Sequence, residues 1–229
     1  MVQWSLPLVW AAVRIFFYKI FCAWRRAPPG ERACGTPSCR VLYQYFRRRA
    51  VEWVTSRVVC LGFDGAGKTS LLLTASREQG APPSLKPVVP TTGFHVRSIN
   101  VPPACRLEVW DLGGASTVRP FWSRYVTRDT EGVIWVVDCC DAGRVSDSCA
   151  LMLELLQTHV LLRGLPVLVL LNKAEQAPAA ALQQAEQAFT QATAALGSRP
   201  YRVQSCSAAD GRNLEEALQW LADRLSEDG

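Results

Sequence analysis

A chain of 229 residues that is 49% hydrophobic and 20% charged suits one globular domain with an extension, rather than several domains. Its formal charge of +5 is unevenly placed: residues 1–56 hold nine Lys/Arg against two acidic residues, and the remainder holds sixteen against eighteen. This excludes a basic core and leaves the basicity to the N-terminal segment, where a membrane surface or a nucleic acid would be its natural partner.

Residues 4–24 are nearly all apolar or aromatic, interrupted by Arg14 and Lys19. The length reaches across a hydrocarbon core of about 30 Å. Nine Leu, Ile, Phe and Val contribute roughly −3 to −5 kcal/mol to insertion, whereas two central cations cost roughly +5 to +7. The balance favours an interfacial or shallowly inserted helix over a single span, and either would act as a membrane-associating segment. If it spans, Arg25, Arg26 and Arg47–Arg49 keep the rest of the chain cytosolic. A cleaved signal peptide does not fit, because no basic residue precedes the apolar run; a mitochondrial presequence is the minor alternative. Cys22 is a candidate for palmitoylation. Residues 25–56 form a basic extension. Within it Leu42, Phe46, Ala50 and Trp53 recur at helical spacing over Arg40–Val54, as a second amphipathic helix or one packed on the following domain. Nine cysteines, an odd number spread over expected strands and helices, indicate reduced thiols in an intracellular protein. Cys34 and Cys39 lack the further ligands of a zinc site.

From Arg57 onward strand and helix signals alternate. Strands are expected at Arg57–Leu61, Phe94–Asn100, Arg106–Trp110, Gly132–Val137, Pro166–Leu171 and Tyr201–Ser205. Helices are expected after Gly67 and across Arg119–Thr127, Val145–Val160, Ala179–Leu196 and Leu214–Leu225. Val101-Pro-Pro-Ala104 reads as a hairpin, and the other strand pairs need helical crossovers. Val133–Val137 and Val167–Leu171 are continuous apolar runs suited to strands buried on both faces. Ala179–Leu196 reads as a surface helix of high intrinsic propensity, with Pro178 at its start. The expectation is an α/β fold with an open, six-stranded, mostly parallel sheet and five helices.

The chemistry lies at the strand ends. Gly62-Phe-Asp-Gly-Ala-Gly-Lys-Thr69 is a full G-x-x-x-x-G-K-[ST] phosphate loop between a strand and a helix. Asp64, Gly65, Ala66 and Gly67 curl their N–H groups around an oligophosphate, Lys68 reaches its terminal phosphates, Thr69 ligates Mg²⁺, and Ser70 opens the helix. Asp111 ends a strand and can hold the metal through water. Gly113 follows it, and the Gly114 N–H can meet a γ-phosphate. Asn172-Lys-Ala-Glu175 reads guanine, because a carboxylate accepts from N1–H and the 2-amino group together, a donor pair adenine lacks. Ser207-Ala208 offers a backbone N–H to guanine O6. Ligands of open α/β sheets bind at this edge. A P-loop kinase gives Asn172–Glu175 and Ser207-Ala208 no role.

Residues from about 57 to 229 resemble the Arf and Arf-like small GTPases, on Gly62–Ser70, Pro90–Phe94, Trp110-Asp-Leu-Gly-Gly114, Arg119-Pro-Phe-Trp122 and Tyr125. The resemblance implies a P-loop, Ras-like small G domain that binds GTP and GDP with Mg²⁺ and serves membrane trafficking as a switch. It implies that Thr91 joins Thr69 on the metal, and that Lys68, Thr91 and Gly114 support hydrolysis. It implies that Phe94, Trp110 and Tyr125 face effectors, and that the hairpin between the switches slides in register on exchange. An exchange factor, an activating protein and an effector are expected partners, and no nucleic acid. The expected place is the cytoplasmic face of an intracellular membrane.

Four features depart from the family. Ala115 stands where a Gln orients the attacking water, which predicts slow or absent hydrolysis. Glu175 stands for Asp. Val2 offers no glycine to myristoylate. The extension before the first strand is longer than one helix. Two functions therefore remain open: a slowly hydrolysing switch, and a non-hydrolysing scaffold with GTP as a structural ligand.

Overall fold

The computed structural model describes residues 53–76, 89–194 and 196–227. The chain divides into two compact units, Met1–Ala50 and Val51–Gly229, and the described residues belong to the second. The apolar segment 4–24, Cys22, the Cys34/Cys39 pair, the arginines at 25, 26 and 47–49 and residues 40–52 of the expected amphipathic helix lie outside them. No described helix is long and apolar enough to cross a membrane.

Six strands make one sheet: β1 (Val54–Leu61), β2 (Phe94–Val101), β3 (Cys105–Leu112), β4 (Thr130–Asp138), β5 (Val167–Asn172) and β6 (Tyr201–Ser205), in the order β2-β3-β1-β4-β5-β6. β2 and β3 are the antiparallel hairpin, with Phe94 opposite Leu112 and Val101 opposite Cys105. The other neighbours are parallel. The chain runs from β1 to one side and later to the other, so the order reverses at β1, where an open sheet leaves its ligand crevice.

Helices α1 (Lys68–Ala75) and α4 (Leu214–Glu227) cover one face, and α2 (Ala142–Thr158) and α3 (Ala179–Ala194) the other. Both faces are therefore apolar. Val58, Ile134 and Leu168 pack with Leu71, Leu218 and Leu221, while Val59, Trp135 and Val169 pack with Met152, Leu156 and Phe189. Every residue of β5 is buried. At about 1.5–3 kcal/mol per buried aliphatic side chain, β4 and β5 form the rigid base of the cleft. Helix α3 is at the surface, as expected, with Ala185, Phe189 and Thr193 as its buried face.

Most boundaries fall within two residues of the sequence expectation, and three elements depart from it by more. β1 begins at Val54, three residues early, because the Val54 N–H reaches the Ala104 carbonyl of the hairpin at 2.9 Å. Val54 is thus strand and not the end of a helix. Helix α2 begins at Ala142, where the Asp141 carbonyl accepts the Arg144 N–H and the Asp141 carboxylate pairs with the Arg144 side chain, and it gives way to a 3₁₀ turn at Val160–Leu162. The second expected helix, Arg119–Thr127, is a six-residue 3₁₀ segment, Arg119–Arg124. So short a piece lacks the cooperativity of an α-helix. Trp122 fixes it instead: its Nε1–H donates to the Gly113 carbonyl at 2.9 Å, and its ring meets Trp135 edge-on at 5.7 Å.

Candidate nucleotide site

The C-terminal ends of β1, β3, β5 and β6 surround a cleft of about 540 Å³, a size typical of pockets that bury a small ligand. Asp64, Gly65, Gly67, Lys68, Thr69 and Ser70 of the phosphate loop line it. Thr91, Gly114, Asn172, Lys173, Glu175 and Ala208, also expected from the sequence, line it too. Gly62, Ala66, Asp111, Gly113 and Ser207 stand just behind the wall and hold it.

The loop has the shape its glycines require. Gly67 has φ 87°, and a Cβ there would lie 2.3 Å from Asn172 Nδ2. Lys68 is buried, and its Nζ donates to the Gly62 and Phe63 carbonyls at 2.8 and 2.9 Å. An ammonium carries three donors, so one remains for the cleft. Burial pulls the Lys68 pKa down, against the raising effects of Cys60, Asp111 and Asp64.

Thr69, Thr91 and Asp111 converge at one end. Thr69 Oγ1 donates to Asp111 Oδ2 at 2.6 Å and lies 3.1 Å from Thr91 Oγ1. Asp111 is fully buried and its Oδ1 has no hydrogen-bond partner among the described residues. Burial raises its pKa, against the Thr69 hydrogen bond and the charges of Lys68, Arg97 and His95. A buried carboxylate with an orphaned oxygen beside two hydroxyls is a hard, all-oxygen donor set, and it fits Mg²⁺. Thr69 and Thr91 would hold the ion directly and Asp111 through water; the ion would supply charge neutralisation.

At the other end Asn172 ties three loops together. Its Nδ2 donates to the Ala66 carbonyl at 2.8 Å, and its Oδ1 accepts the Ala208 N–H at 3.0 Å. Of the Ser207-Ala208 turn expected to offer a backbone N–H to guanine O6, the Ala208 N–H is thus engaged by the Asn172 amide oxygen. Ser207 is also occupied: its N–H goes to the Arg212 carbonyl, and its Oγ accepts from the Ala209 and Asp210 N–H groups. Of that turn, Ala209 joins Ala208 in lining the cleft. Lys173 adopts φ 62° and pairs with Asp138.

Gly114 closes against the phosphate loop. A Cβ there would lie 2.4 Å from the Phe63 carbonyl carbon, and the Gly114 carbonyl accepts the Asp64 N–H at 3.2 Å. Arg119 completes the contact: Nε donates to the Gly114 carbonyl, Nη2 reaches Asp64 at 3.2 Å, and the guanidinium lies 3.9 Å from the Phe63 ring centroid. Arg144 reaches Asp64 from the other side at 3.3 Å. Burial pushes the Asp64 pKa up, but the backbone hydrogen bond, Arg144 and Arg119 outweigh it and hold the carboxyl below its ordinary value. Ala115 lines the cleft beside Gly114 with a bare methyl group.

The sequence reading missed the two arginines, Asp138 and Gln176. Arg119 was read only as part of a motif, and its grip on the phosphate loop spans 55 positions, which no local pattern records. Outside the cleft the three expected aromatics meet: Phe94 stacks on Trp110 at 5.1 Å and 11°, and Tyr125 lies 5.1 Å from Phe94. Arg57 sits 3.9 Å over Trp110 and donates to the Tyr125 carbonyl.

This fold and cleft are those of a Ras-like P-loop G domain. The profile of the ADP-ribosylation factor (Arf) family matches residues 42–225, beginning inside the segment that the sequence reading assigned to the extension. ADP-ribosylation factor-like protein 3 of Chlamydomonas reinhardtii is 36% identical over 170 residues, 74% of this chain and 90% of that protein. ADP-ribosylation factor-like protein alp41 of Schizosaccharomyces pombe is 36% identical over 186 residues, 81% and 95% of the two chains. Among solved structures, the Arl6 BBS3 small GTPase of Trypanosoma brucei, with a bound nucleotide analogue GppNp, superposes with a TM-score of 0.64 at 25% identity, covering 77% of this chain and all of that one. The chain belongs to the ADP-ribosylation factor family of small GTPases, whose members bind guanine nucleotides.

Proposed function

We propose that the chain is a membrane-associated, Mg²⁺-dependent GTP/GDP switch that hydrolyses GTP slowly. The observation that carries this reading is Ala115: a methyl group lines the cleft beside Gly114, where the family places a water-orienting Gln. Transfer of a phosphoryl group to water needs charge neutralisation and in-line placement of the water. Lys68, the Thr69–Thr91 pair and the Gly114 N–H serve the first need. For the second, Ala115 offers no hydrogen-bonding side-chain group, and the Asp64 carboxylate that lines the same cleft is held by Arg119 and Arg144. Guanine recognition rests on Asn172, Lys173 and Glu175, with Ser207 and Ala208 shaping the facing wall.

Residues 1–24 would place the domain on the cytoplasmic face of an intracellular membrane. Phe94, Trp110 and Tyr125 would meet an effector, and exchange and activating proteins would act on the same switches. One observation favours a second reading, a scaffold that holds GTP without turning it over: Arg119 and the Gly114 carbonyl are fastened to Asp64 of the phosphate loop by hydrogen bonds and an ion pair.

Nucleotide released from the purified chain separates the two. GDP supports the switch, and GTP alone supports the scaffold. Single-turnover assays on GTP-loaded protein should show little phosphate release over hours, and Ala115→Gln should raise the rate. Ready turnover by the native chain, with no effect of Ala115→Gln, would overturn the slow-hydrolysis reading.

A further inference from the structure

Glu175 is one methylene longer than the aspartate that the guanine-reading turn normally carries. The longer side chain has one more rotor to freeze, and it is exposed at the mouth of the cleft. Left alone, its carboxylate would sample solvent-facing rotamers, and its two oxygens would seldom stand together towards a base.

The neighbouring residue answers this. Gln176 Nε2 donates to Glu175 Oε1 at 3.1 Å, and both residues line the cleft together with Ala208 and Ala209. The turn beneath them is fixed from several directions. The Gln176 and Ala177 N–H groups both donate to the Lys173 carbonyl, at 2.9 and 3.1 Å. The Ala174 N–H reaches the Cys206 carbonyl at 3.2 Å, and the Lys173 ammonium is anchored on Asp138. The Glu175–Gln176 contact therefore stands on a rigid base, and the freedom it removes is that of the glutamate side chain.

The lone pairs allow it. An ionised carboxylate has about four acceptor sites on its two oxygens. Gln176 takes one of them on Oε1. Guanine's N1–H and 2-amino group need one on each oxygen, so amide and base can be satisfied at once. A hydrogen bond to an ionised acceptor is also stronger than a neutral one, which suits it to selecting a rotamer.

We infer that Gln176 is a specificity-determining residue: its side-chain amide orients Glu175 so that the longer carboxylate presents both oxygens to the N1–H and 2-amino edge of guanine. The inference rests on the guanine reading of the site above. Gln176 acts through Glu175, as a positioning residue.

The test uses the full-length chain with Mg²⁺ and competition binding of GDP, IDP and ADP. IDP keeps N1–H but lacks the 2-amino group, so it reports whether the second oxygen is in use. Four chains are compared: native, Gln176→Leu, Glu175→Asp and the double variant, with melting temperature as a control on folding. Gln176→Leu should weaken GDP about tenfold, on the scale of one hydrogen bond to a charged group. It should weaken IDP much less, so the GDP-over-IDP preference falls. In the Glu175→Asp background the same substitution should change GDP affinity less than twofold, because the shorter side chain needs no brace. Equal losses for GDP and IDP, no loss for either, or an undiminished loss in the Glu175→Asp background would each overturn the inference. A native chain that binds ADP as well as GDP would instead sink the guanine reading and this inference with it.

Discussion

Removing the Asn172 side chain should loosen the nucleotide site and the fold together. Asn172 is buried at the end of β5 and makes one bond to the phosphate loop and one to the loop after β6. In Asn172→Ala the two partners fare differently. The Ala66 carbonyl belongs to a buried residue and loses its donor, at about 1–3 kcal/mol for an unsatisfied polar group. The Ala208 N–H borders the cleft, where water can replace the lost acceptor, so its share is about 1 kcal/mol or less. The sum is about 1–4 kcal/mol, or a fall in melting temperature of roughly 2–16 °C for a domain of this size. Release of a fluorescent GDP analogue should quicken about tenfold or more, since the bond to Ala66 is what keeps that loop closed on the base-reading turn.

A companion variant sharpens the argument. Asn172→Asp keeps the shape and the acceptor for the Ala208 N–H, but sets an oxygen against the Ala66 carbonyl. It should therefore be at least as damaging as Asn172→Ala, although it is nearly isosteric. Thermal unfolding monitored by circular dichroism, with GDP release by stopped flow, decides the matter. If Asn172→Asp behaves as native, or Asn172→Ala shifts neither quantity, then Asn172 is not the tie between the three loops.

Other consequences are as direct. Lys68→Ala should weaken GDP and GTP by more than a hundredfold in titration calorimetry, because the spare ammonium donor is the cation of the phosphate loop. Asp111→Asn should raise the melting temperature of the nucleotide-free chain while abolishing the Mg²⁺ dependence of binding, since it removes an ionised group that burial disfavours. The pH dependence follows the same sign. A carboxyl whose folded pKa lies above its unfolded value binds more protons folded than unfolded, so its contribution is full below the ordinary aspartate range and is lost as pH rises through the folded pKa. Nucleotide-free stability should carry that downward component, and Asp111→Asn should lack it. Full-length protein should pellet with anionic vesicles, and a chain lacking residues 1–24 should stay in the supernatant.

The parts of the site legible in the sequence were those where chemistry demands a residue type at a fixed spacing. Gly67 is required because any Cβ there meets Asn172, and Lys68 and Thr69 must follow it directly, so the pattern survives as a string. The strands were legible because Val133–Val137 and Val167–Leu171 are apolar on both faces. Boundaries were less so: Thr55 and Ser56 carry no apolar signal, and β1 reaches back to Val54 through its pairing with β3 and a bond to Ala104, fifty residues away. The 3₁₀ form of Arg119–Arg124 was hidden for a similar reason. Helical spacing is present, but Trp122 is tied to Gly113 and Trp135, and tertiary contacts set the winding.

The same distinction bears on how the site works. Nothing local to Asp64 announces that Arg119 and Arg144 converge on it, yet Arg119 thereby fastens Gly114 to the phosphate loop. In a switch that reads a γ-phosphate, the segment after Asp111 must trade protein contacts for phosphate contacts when GTP binds. Here the protein side is strong: two hydrogen bonds to the Gly114 carbonyl, an ion pair to Asp64 and a cation over the Phe63 ring. Such contacts bias the segment towards its docked arrangement in either nucleotide state. Arg119→Ala should undo this. Its ion pair is partly exposed and worth less than about 1 kcal/mol to overall stability, so the melting temperature should barely move. Limited proteolysis between Ala115 and Arg124 should nonetheless quicken in the GDP-bound chain and slow again when a non-hydrolysable GTP analogue is bound. Equal cleavage rates for native and Arg119→Ala protein in both nucleotide states would show that the clamp does not set the position of this segment.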